Sequence, residues 1–357
     1  MHGLLPSRTP PAALTSAKHG RAGTAAYNTP VEGTRHRLLQ SLDQRGFRSG
    51  TEIGALLGLS RAAVHKHVQA LVERGVPIHR VPGRGYRLAE GVTLLAEGAI
   101  AGRLSEKAGG LIDAIEVLDE IDSTTAYLFR RAAPGSLNGR VCLAERQTAG
   151  RGRRGRSWVA SPYRDLMMSI GIEYPQWPAE LPALGLVTAL TVAGALQDLE
   201  VRDLKVKWPN DVTHEDRKLC GVLLDVAGEA HGACRIVVGI GINVSMSDEQ
   251  AAAIDQPWVD LETLARAVPD RNAVAAACLN ALMPMFASFP GGGFAAHRSE
   301  WRRLDALQDR AVSVHCADGS VQEGEAAGVD GSGRLRVIDS SGETRLLTQG
   351  DVKVRAR

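Results

Sequence analysis

The chain has 357 residues, which is enough for two or three domains with a sizeable core. Its formal net charge of +2 is too small for wholesale nucleic-acid binding, so any basic function has to be local. The five cysteines are scattered without a Cys-x-x-Cys pair, and no run approaches the ~18 apolar residues of a membrane span, so we expect a cytoplasmic protein without disulfides, a zinc knuckle or a membrane partner.

The first ninety residues predict a tail followed by a DNA-binding unit. Residues 1–33 are rich in Pro, Ala, Gly, Thr and Ser, which is typical of a disordered tail. Residues 34–90 predict three short helices, and the third runs over 61–73 with Ser60 as its N-cap. Its apolar residues recur at i, i+4 and i+7, which leaves a polar and basic opposite face. A basic hairpin with a glycine tip follows over 79–88 and predicts the wing of a winged helix-turn-helix.

Two interpretations fit this unit: a DNA-binding domain, and a small helical packing domain whose charges face water. We favour DNA binding because the third helix and the wing are basic together. The candidate DNA-contacting residues are Ser60, Arg61, His65, Lys66 and Arg84.

Residues 91–308 combine the strand and helix signals of an α+β domain. An almost wholly apolar helix is predicted over 184–199, and the segments 218–225 and 235–244 predict paired central strands. The Gly-x-Gly in the second of these strands lacks the third glycine and the helix of a dinucleotide fingerprint. We expect it to let a ligand or a neighbouring chain segment lie flat on the sheet. Short alternating strands over 309–357 then predict a small β-barrel.

Two stretches in the α+β part predict ligand contacts. Residues 150–158 read Gly-Arg-Gly-Arg-Arg-Gly-Arg-Ser-Trp, and here glycines let backbone N–H groups approach a ligand while arginines grip phosphate or carboxylate. This Gly-Arg loop predicts a mobile segment that folds over an anionic ligand; a basic surface turn or a nucleic-acid patch is the alternative. Asp122-Ser123-Thr124-Thr125 opens another predicted helix and indicates either a site for a polar ligand or a simple helix cap.

Three further motifs follow the Gly-Arg loop: Lys207-Trp208-Pro209-Asn210-Asp211, Arg217-Lys218-Leu219 with Gly221, and Gly239-Ile240-Gly241-Ile242-Asn243. Together with the predicted helix and wing, these motifs over residues 35–357 resemble the bifunctional biotin–protein ligase and biotin-operon repressor family of bacteria. The resemblance implies a winged helix-turn-helix, a mixed-sheet domain of the biotin/lipoate ligase type and an SH3-like C-terminal barrel. The chain departs from the pattern in its N-terminal tail and at Thr125, where some members carry Asn.

The resemblance also implies which residues act on the ligands. Lys218, Arg153 and Asp211 would be catalytic, and Asp211 would hold Mg²⁺ or accept the proton of the acceptor amine. Trp258 would cover the adenine. The implied contacts of biotin and its adenylate are Ser123, Thr124, Thr125, Gln147, Gly150, Arg151, Gly152, Arg153, Asn210, Lys218 and Trp258.

By the same resemblance, the chain would activate biotin with ATP to biotinyl-5'-AMP. It would then transfer biotin to a lysine of the biotin carboxyl carrier protein, a subunit of acetyl-CoA carboxylase. With biotinyl-AMP bound it would form a homodimer that represses the biotin-biosynthesis genes at their operator DNA.

Three alternatives stay open. A biotin-sensing transcription factor would bind biotin without catalysis. A lipoate or octanoate ligase would lack the Gly-Arg loop and usually the DNA-binding domain. The third is a ligase whose N-terminal unit no longer binds DNA.

Overall fold

The computed structural model describes residues 30–42, 46–132, 136–228, 232–265, 269–316, 320–348 and 352–356. These residues form an N-terminal helical unit with a hairpin, a central mixed sheet with helices, and a C-terminal antiparallel sheet. Most of the predicted tail, residues 1–29, lies outside the described residues, and the first helix begins at Pro30.

The N-terminal unit is a helix-turn-helix followed by a hairpin. Its elements are α1 (Pro30–Ser41), α2 (Gly50–Leu57), α3 (Arg61–Glu73), β1 (Ile78–Val81) and β2 (Gly85–Leu88). Ser60 caps α3 by accepting a hydrogen bond from the backbone N–H of Ala63 at 3.1 Å. Gly58 ends α2 with a φ of 69°, a conformation that favours glycine. The apolar face of α3 is fully buried, so the predicted helix over 61–73 and the predicted hairpin are confirmed.

The central sheet has seven strands in the order β3-β4-β5-β9-β8-β7-β6. Strands β3 and β4 are parallel and every other neighbouring pair is antiparallel, so the mixed sheet and the predicted pairing of β8 with β9 are confirmed. The strands are β3 (Ala114–Ile121), β4 (Arg140–Gln147), β5 (Leu166–Tyr174), β6 (Leu204–Lys207), β7 (Asp211–His214), β8 (Arg217–Ala227) and β9 (Cys234–Ile242). The helices are α4 (Glu97–Ala101), α5 (Glu106–Gly109), α6 (Thr124–Ala132), α7 (Leu184–Asp198), α8 (Asp248–Ala251), α9 (Leu261–Leu264), α10 (Arg271–Gly292) and α11 (Arg298–Leu304).

Helices cover both faces of this sheet. Helices α7 and α10 pack on each other and share the main core with the sheet, whereas α6 packs over β4, β5 and β9 with a smaller cluster of its own. Contrary to our expectation, the segments Leu181–Asp198 and Arg271–Gly292 do have the length and hydropathy of a membrane span. Their most apolar windows are 72% and 56% buried, so burial in the core accounts for much of this composition.

The sequence also predicts helices over 261–268 and 273–289 and one short helix in the linker over 91–108, and the structure corrects each of these. Helix α9 ends at Leu264 instead of 268, and residues 266–268 lie outside the described residues. Helix α10 does not stop at Pro290 but continues to Gly292. Its side chains at Phe286 and Phe289 are buried in the main core, and this packing outweighs the loss of a backbone donor at the proline. The linker over 91–108 contains two short helices instead of one.

The C-terminal sheet has five antiparallel strands in the order β13-β12-β11-β10-β14. They are β10 (Ala311–Cys316), β11 (Val321–Val329), β12 (Leu335–Ile338), β13 (Thr344–Leu347) and β14 (Val352–Ala356), which confirms the short strands predicted over 309–357. Val312, Val314 and Leu335 join the main core, and the indole Nε1 of Trp208 donates to the carbonyl of Gly333 at 3.0 Å. The sheet is therefore packed directly against the central unit; its closure into a barrel stays a prediction.

Candidate active site and nucleic-acid interface

A cavity of about 600 Å³ opens where the Gly-Arg loop meets the central sheet. The start of α6, the segment 207–211, strands β8 and β9, and the C-terminal sheet also contribute to its wall. The predicted ligand-binding residues that line it are Ser123, Thr124, Thr125, Gln147, Arg151, Gly152, Arg153, Asn210, Asp211 and Lys218. A cavity of this size suits a cofactor-sized or substrate-sized ligand.

The Gly-Arg loop is folded back on itself by its own backbone. Arg151 and Ser157 form an antiparallel bridge, and the N–H of Gly152 donates to the carbonyl of Arg156 at 2.7 Å. The base of the loop is closed by the N–H of Trp158, which donates to the carbonyl of Gly150 at 3.0 Å. Gly150 lies at this base and is not among the lining residues of the cavity.

The chain segment expected to lie on the Gly-x-Gly of β9 is the one that carries Trp158, and the indole of that residue lies next to Gly241. A Cβ atom on Gly241 would be 2.8 Å from the Nε1 atom of that indole, and a Cβ atom on Gly221 would be 3.0 Å from its Cζ3 atom. On the same strand, a Cβ atom on Gly239 would be 3.0 Å from the hydroxyl of Thr125. These glycines therefore leave room for groups that a side chain would displace.

Cationic side chains converge on the cavity beside this indole. Nζ of Lys218 lies 2.8 Å from Oδ1 of Asp211 and 5.4 Å from the centre of the Trp158 ring. The guanidinium of Arg153 donates to the amide oxygen of Asn210 at 3.1 Å. Burial lowers the pKa of Arg153, and the nearby charge of Asp211 opposes that change. The arrangement concentrates positive charge where an anionic ligand would enter.

A network of hydroxyl groups forms another part of the wall. The backbone N–H and the hydroxyl of Thr124 both donate to Oε1 of Gln147, at 2.8 and 3.1 Å. The hydroxyls of Thr124 and Thr125 lie 2.7 and 3.0 Å from the hydroxyl of Ser169 on β5. Ser123 completes the set, and its hydroxyl accepts a 3.4 Å hydrogen bond from the N–H of Ala126. The Asp-Ser-Thr-Thr stretch thus faces a cavity as well as beginning a helix.

Sequence reasoning missed several residues that line or support this cavity. Ser169 does not line it but contacts the hydroxyls of Thr124 and Thr125; it is fully buried, and its one signal is a single hydroxyl within an apolar strand. Lys207, Asp216 and Arg310 line the cavity. Arg310, which precedes β10, pairs with both carboxylate oxygens of Asp216 at 2.7 and 3.0 Å. No local pattern predicts this contact because its two residues are 94 positions apart in the sequence.

Trp258 lies outside the large cavity, and the side chain of Arg151 is engaged elsewhere. Trp258 lines a neighbouring cavity of about 330 Å³ and not the large one. Its segment is nevertheless tied to Lys218, whose N–H donates to Pro257 and whose carbonyl accepts from Val259, both at 2.9 Å. Arg151 lines the large cavity, but its half-exposed guanidinium pairs with Asp225 at 2.6 Å.

The candidate DNA-contacting residues lie on α3 and the hairpin. Arg61, His65 and Lys66 are exposed on α3, whereas the hydroxyl of Ser60 is used as the cap of the helix. Nδ1 of His65 lies 3.1 Å from the hydroxyl of Tyr86, which links α3 to β2.

The wing is held by an aromatic ring that sequence reasoning missed. The guanidinium of Arg84 stacks over the Phe47 ring at 4.6 Å, and that of Arg87 does so at 5.2 Å. Arg48 exchanges two 2.9 Å backbone hydrogen bonds with Tyr86, so the segment 47–48 is joined to the hairpin by one isolated antiparallel bridge. The ring thereby holds two basic side chains of the hairpin.

Comparison with known proteins identifies both the N-terminal unit and the region of the central sheet. A sequence profile of the biotin/lipoate A/B protein ligase family matches residues 117–243, and a helix-turn-helix domain profile matches residues 34–87. The chain is 36% identical over 321 residues to the bifunctional ligase/repressor BirA of Escherichia coli K12, and the match covers 90% of this chain and 97% of that protein.

Two further relatives match the region that contains the cavity. The biotin–[acetyl-CoA-carboxylase] ligase of Mycobacterium tuberculosis is 32% identical over 243 residues, which cover 67% of this chain and 88% of that enzyme. Among solved structures, the biotin protein ligase of Aquifex aeolicus in complex with biotin and ATP matches with a TM-score of 0.58 at 26% identity. That match covers 69% of this chain and all 100% of the other.

Proposed function

This chain belongs to the family of bifunctional biotin ligases and repressors, and from that premise we propose that its large cavity makes and holds biotinyl-5'-AMP. The chain is a biotin–protein ligase with an N-terminal helix-turn-helix. One observation carries the assignment of the site. The Gly-Arg loop, the hydroxyls at the start of α6 and Lys218, which are far apart in the sequence, line a single cavity.

The first reaction joins two anions, so the site has to neutralise them. A carboxylate oxygen of biotin attacks the α-phosphorus of ATP; the new O–P bond forms as the bond to pyrophosphate breaks. Arg153 and Lys218 supply positive charge at the point where both anions meet. Arg151 adds a third cation once its guanidinium leaves Asp225 for the ligand. Gly152 lets the loop backbone approach the phosphate.

The hydroxyl network suits the polar head of biotin. Thr124 and Thr125 are held by Ser169, and Gln147 receives two hydrogen bonds from Thr124, so these groups are oriented before a ligand arrives. Ser123 lies beside them. Met167 and Met168 supply an apolar wall next to the hydroxyls. We propose that biotin lies here with its carboxylate directed toward Lys218.

The family implies Mg²⁺, and one residue of the cavity fits it. Mg²⁺ is usually bound by one or two carboxylates together with phosphate oxygens and water. Among the described residues no group of three or more His, Cys, Asp or Glu could hold a metal ion, so nucleotide oxygens would have to complete the shell. Asp211 is the carboxylate that would hold the ion, with Asn210 beside it. Bound Mg²⁺ would screen phosphate charge.

The second reaction transfers the acyl group to an amine. The lysine nitrogen of the acceptor attacks the acyl carbon, the bond to the phosphate oxygen breaks, and AMP leaves. The amine has an ordinary pKa of about 10.4, so it has to lose a proton. Asp211 is the candidate base. Its carboxylate pairs with Lys218, and it can accept a proton when Lys218 binds the ligand instead. Water would destroy the adenylate, so the Gly-Arg loop protects it until the acceptor arrives.

The repressor function needs two copies of the chain. A single helix-turn-helix reads too few base pairs for specific repression, so we propose a homodimer formed with biotinyl-AMP bound. Its partners would be the operator DNA of biotin-biosynthesis genes and, for catalysis, the biotin carboxyl carrier protein. Analytical ultracentrifugation with and without biotin and ATP tests the dimer; an unchanged mass would rule it out.

The domain plan follows the same assignment. We propose boundaries at 34–90 for the winged helix-turn-helix, 91–308 for the ligase domain and 309–357 for an SH3-like barrel. The buried packing of β10 and β12 on the main core supports a small C-terminal domain that is fixed to the ligase domain. We propose a cytoplasmic location. We also propose that Trp258 reaches the adenine from the neighbouring cavity.

One assay tests the catalytic proposal. Purified protein, ATP and labelled biotin are incubated with a biotin carboxyl carrier domain, while pyrophosphate release is followed in parallel. We expect ATP-dependent label on one lysine of the carrier. Biotin binding without pyrophosphate release would favour a non-catalytic sensor, and transfer of octanoate in preference to biotin would favour a lipoate-type ligase.

A further inference from the structure

The N-terminal unit and the ligase part meet at a side chain that belongs to the ligase part. Tyr163 lies between the Gly-Arg loop and β5, yet its ring is 1% exposed and packs in the core of the helix-turn-helix unit. Its hydroxyl donates to Oδ1 of Asp119 on β3 at 2.7 Å. The ring of Tyr163 thus packs in the core of the N-terminal unit, whereas its backbone and its hydroxyl belong to and bind the ligase part.

The backbone at Tyr163 is in a conformation that tyrosine rarely adopts. Its φ is 62°, in the left-handed region that favours glycine and costs other residues about 1–2 kcal/mol. Burial of a large side chain offsets this cost, since it stabilises by roughly 1.5–3 kcal/mol. The turn is therefore held in place by the docking of the ring, which makes the turn and the docking interdependent.

The same turn is connected to the ligand site. The backbone N–H of Tyr163 donates to the carbonyl of Glu145 at 3.0 Å, two residues before Gln147 of the cavity wall. Pro162, the other residue of the turn, lies four residues after Trp158, whose indole lies next to Gly241. The turn is thus joined to one cavity segment by a hydrogen bond and to the other by four residues of chain.

The turn also touches the end of the candidate DNA-recognition helix. A Cβ atom on Gly75, two residues after α3, would be 3.2 Å from Cγ of Pro162. Arg74, the C-cap of α3, lies 3.9 Å from Asp119 and 4.0 Å from Glu120. The C-terminal end of α3 therefore rests on the segment that follows the Gly-Arg loop.

We propose that Tyr163 is the positioning residue that couples occupancy of the adenylate cavity to the placement of α3. This inference rests on the proposed function, because the ligand that moves the loop is biotin with ATP. Ordering of the Gly-Arg loop shifts the turn at Pro162 and Tyr163, and the docked ring transmits that shift to the N-terminal unit. The coupling runs through a packed side chain and needs no contact between DNA and ligand.

Amide hydrogen exchange on the full chain tests the coupling. With biotin and ATP, amides of α3 in the wild type should exchange at least about fivefold more slowly than without them. Tyr163→Gly adopts the turn without strain but lacks the ring, and should lose this ligand-induced difference. Tyr163→Phe keeps the ring and is the matched control that should retain it. Pyrophosphate release should stay within about twofold of wild type in both variants, because Tyr163 does not line the cavity.

A second variant covers the case in which Tyr163→Gly does not fold. Pro162→Ala leaves the core of the N-terminal unit filled but removes the contact with Gly75, and should reduce the ligand-induced difference by about half. An unchanged difference in the folded glycine variant, or in Pro162→Ala when the glycine variant is unfolded, overturns the coupling. So does a wild type that releases pyrophosphate without any change in α3. Absence of pyrophosphate release from the wild type would instead overturn the proposed function, and this inference with it.

Discussion

The ammonium group of Lys218 and the carboxylate of Asp211 form an ion pair inside the cavity, with Nζ and Oδ1 2.8 Å apart. Both side chains are largely buried, with 19% and 26% of their surface exposed. The pairing satisfies each charge while no ligand is present. When a carboxylate or phosphate enters, Lys218 gains a new anionic partner and Asp211 becomes available for Mg²⁺ or a proton.

Replacing Lys218 should stop adenylation. We expect Lys218→Ala to lower the rate of pyrophosphate release by about 10²–10³-fold, because a cation is lost where charge develops in the transition state. Biotin binding should weaken by about tenfold, since a charge-assisted hydrogen bond is removed. Stopped-flow pyrophosphate detection and calorimetric titration with biotin measure the two effects.

The matched control for this variant is Lys205→Ala. Lys205 is exposed on β6 and its ammonium group donates to the carbonyl of Arg303, away from the cavity. Its replacement should leave both measurements unchanged. Near-normal pyrophosphate release from Lys218→Ala would contradict the assigned role.

Removing Arg153 should let the adenylate escape. Its guanidinium reaches Asn210 from the Gly-Arg loop and helps to close the cavity. We expect Arg153→Gly to raise the rate of adenylate dissociation by on the order of tenfold or more. Biotin label on a bystander protein such as albumin would then increase at the expense of the carrier domain. Arg202→Gly, at an exposed arginine outside the cavity, is the control, and unchanged retention of the adenylate in Arg153→Gly would contradict the closing role.

Local patterns predicted much of this fold. Strands β10 and β14 alternate between apolar and polar residues over most of their length, and α3 combines an N-cap serine with apolar residues at helical spacing, so these elements follow from neighbours in the sequence. The ion pair between Arg271 and Glu145 could not be predicted in this way. Both side chains are almost fully buried and lie 2.8 Å apart, yet 145 is on β4 and 271 begins α10. In the sequence each reads as an ordinary surface charge.

The residues of the candidate site likewise fall into those that short motifs indicate and those that depend on contacts between distant segments. The roles proposed for Asn210, Asp211 and Lys218 follow from the resemblance of their short motifs to those of a known family. Ser169 and Arg310 were missed, because their importance depends on which segments the fold brings beside them. Trp258 shows the limit of motif transfer: its position in the sequence was noted, but the structure places it in the neighbouring cavity.

Adding one methyl group at Gly241 should displace Trp158. A Cβ atom there would overlap the indole, which would have to shift to make room for it. We expect Gly241→Ala to weaken binding of biotin with ATP by about tenfold or more, since the base of the Gly-Arg loop would have to shift. Gly98→Ala is the control, because nothing lies within 4 Å of the added atom. Equal affinities of the two variants would show that the indole does not support the loop.

The DNA-binding unit should depend on Phe47. The ring holds the guanidinium groups of Arg84 and Arg87 at 4.6 and 5.2 Å, and each such contact stabilises by about 0.5–1 kcal/mol at an exposed site. Phe47→Leu should therefore weaken binding to a mixed-sequence duplex by about three- to tenfold, measured by fluorescence anisotropy at low salt. Phe47→Tyr keeps the ring and should bind like wild type. Wild-type affinity in Phe47→Leu would show that the arginines need no support.

Asp305 should make the stability of the chain depend on pH. Burial raises the pKa of its carboxyl to about 6, and its Oδ2 atom has no hydrogen-bond partner among the described residues. A carboxyl whose folded pKa lies above its ordinary value of 3.8 contributes stability below about pH 4, and loses that contribution as the pH rises through about 6. Asp305→Asn cannot ionise, so its melting temperature should match wild type near pH 4 and exceed it by a few degrees near pH 8, when both are measured by scanning fluorimetry.

Asp165, whose pKa burial also raises to about 6, is present in both proteins and cancels in the comparison. Asp198→Asn, at an exposed position near the end of α7, should show no such trend, and a difference between Asp305→Asn and wild type that is the same at both pH values would contradict ionisation of Asp305 as the cause.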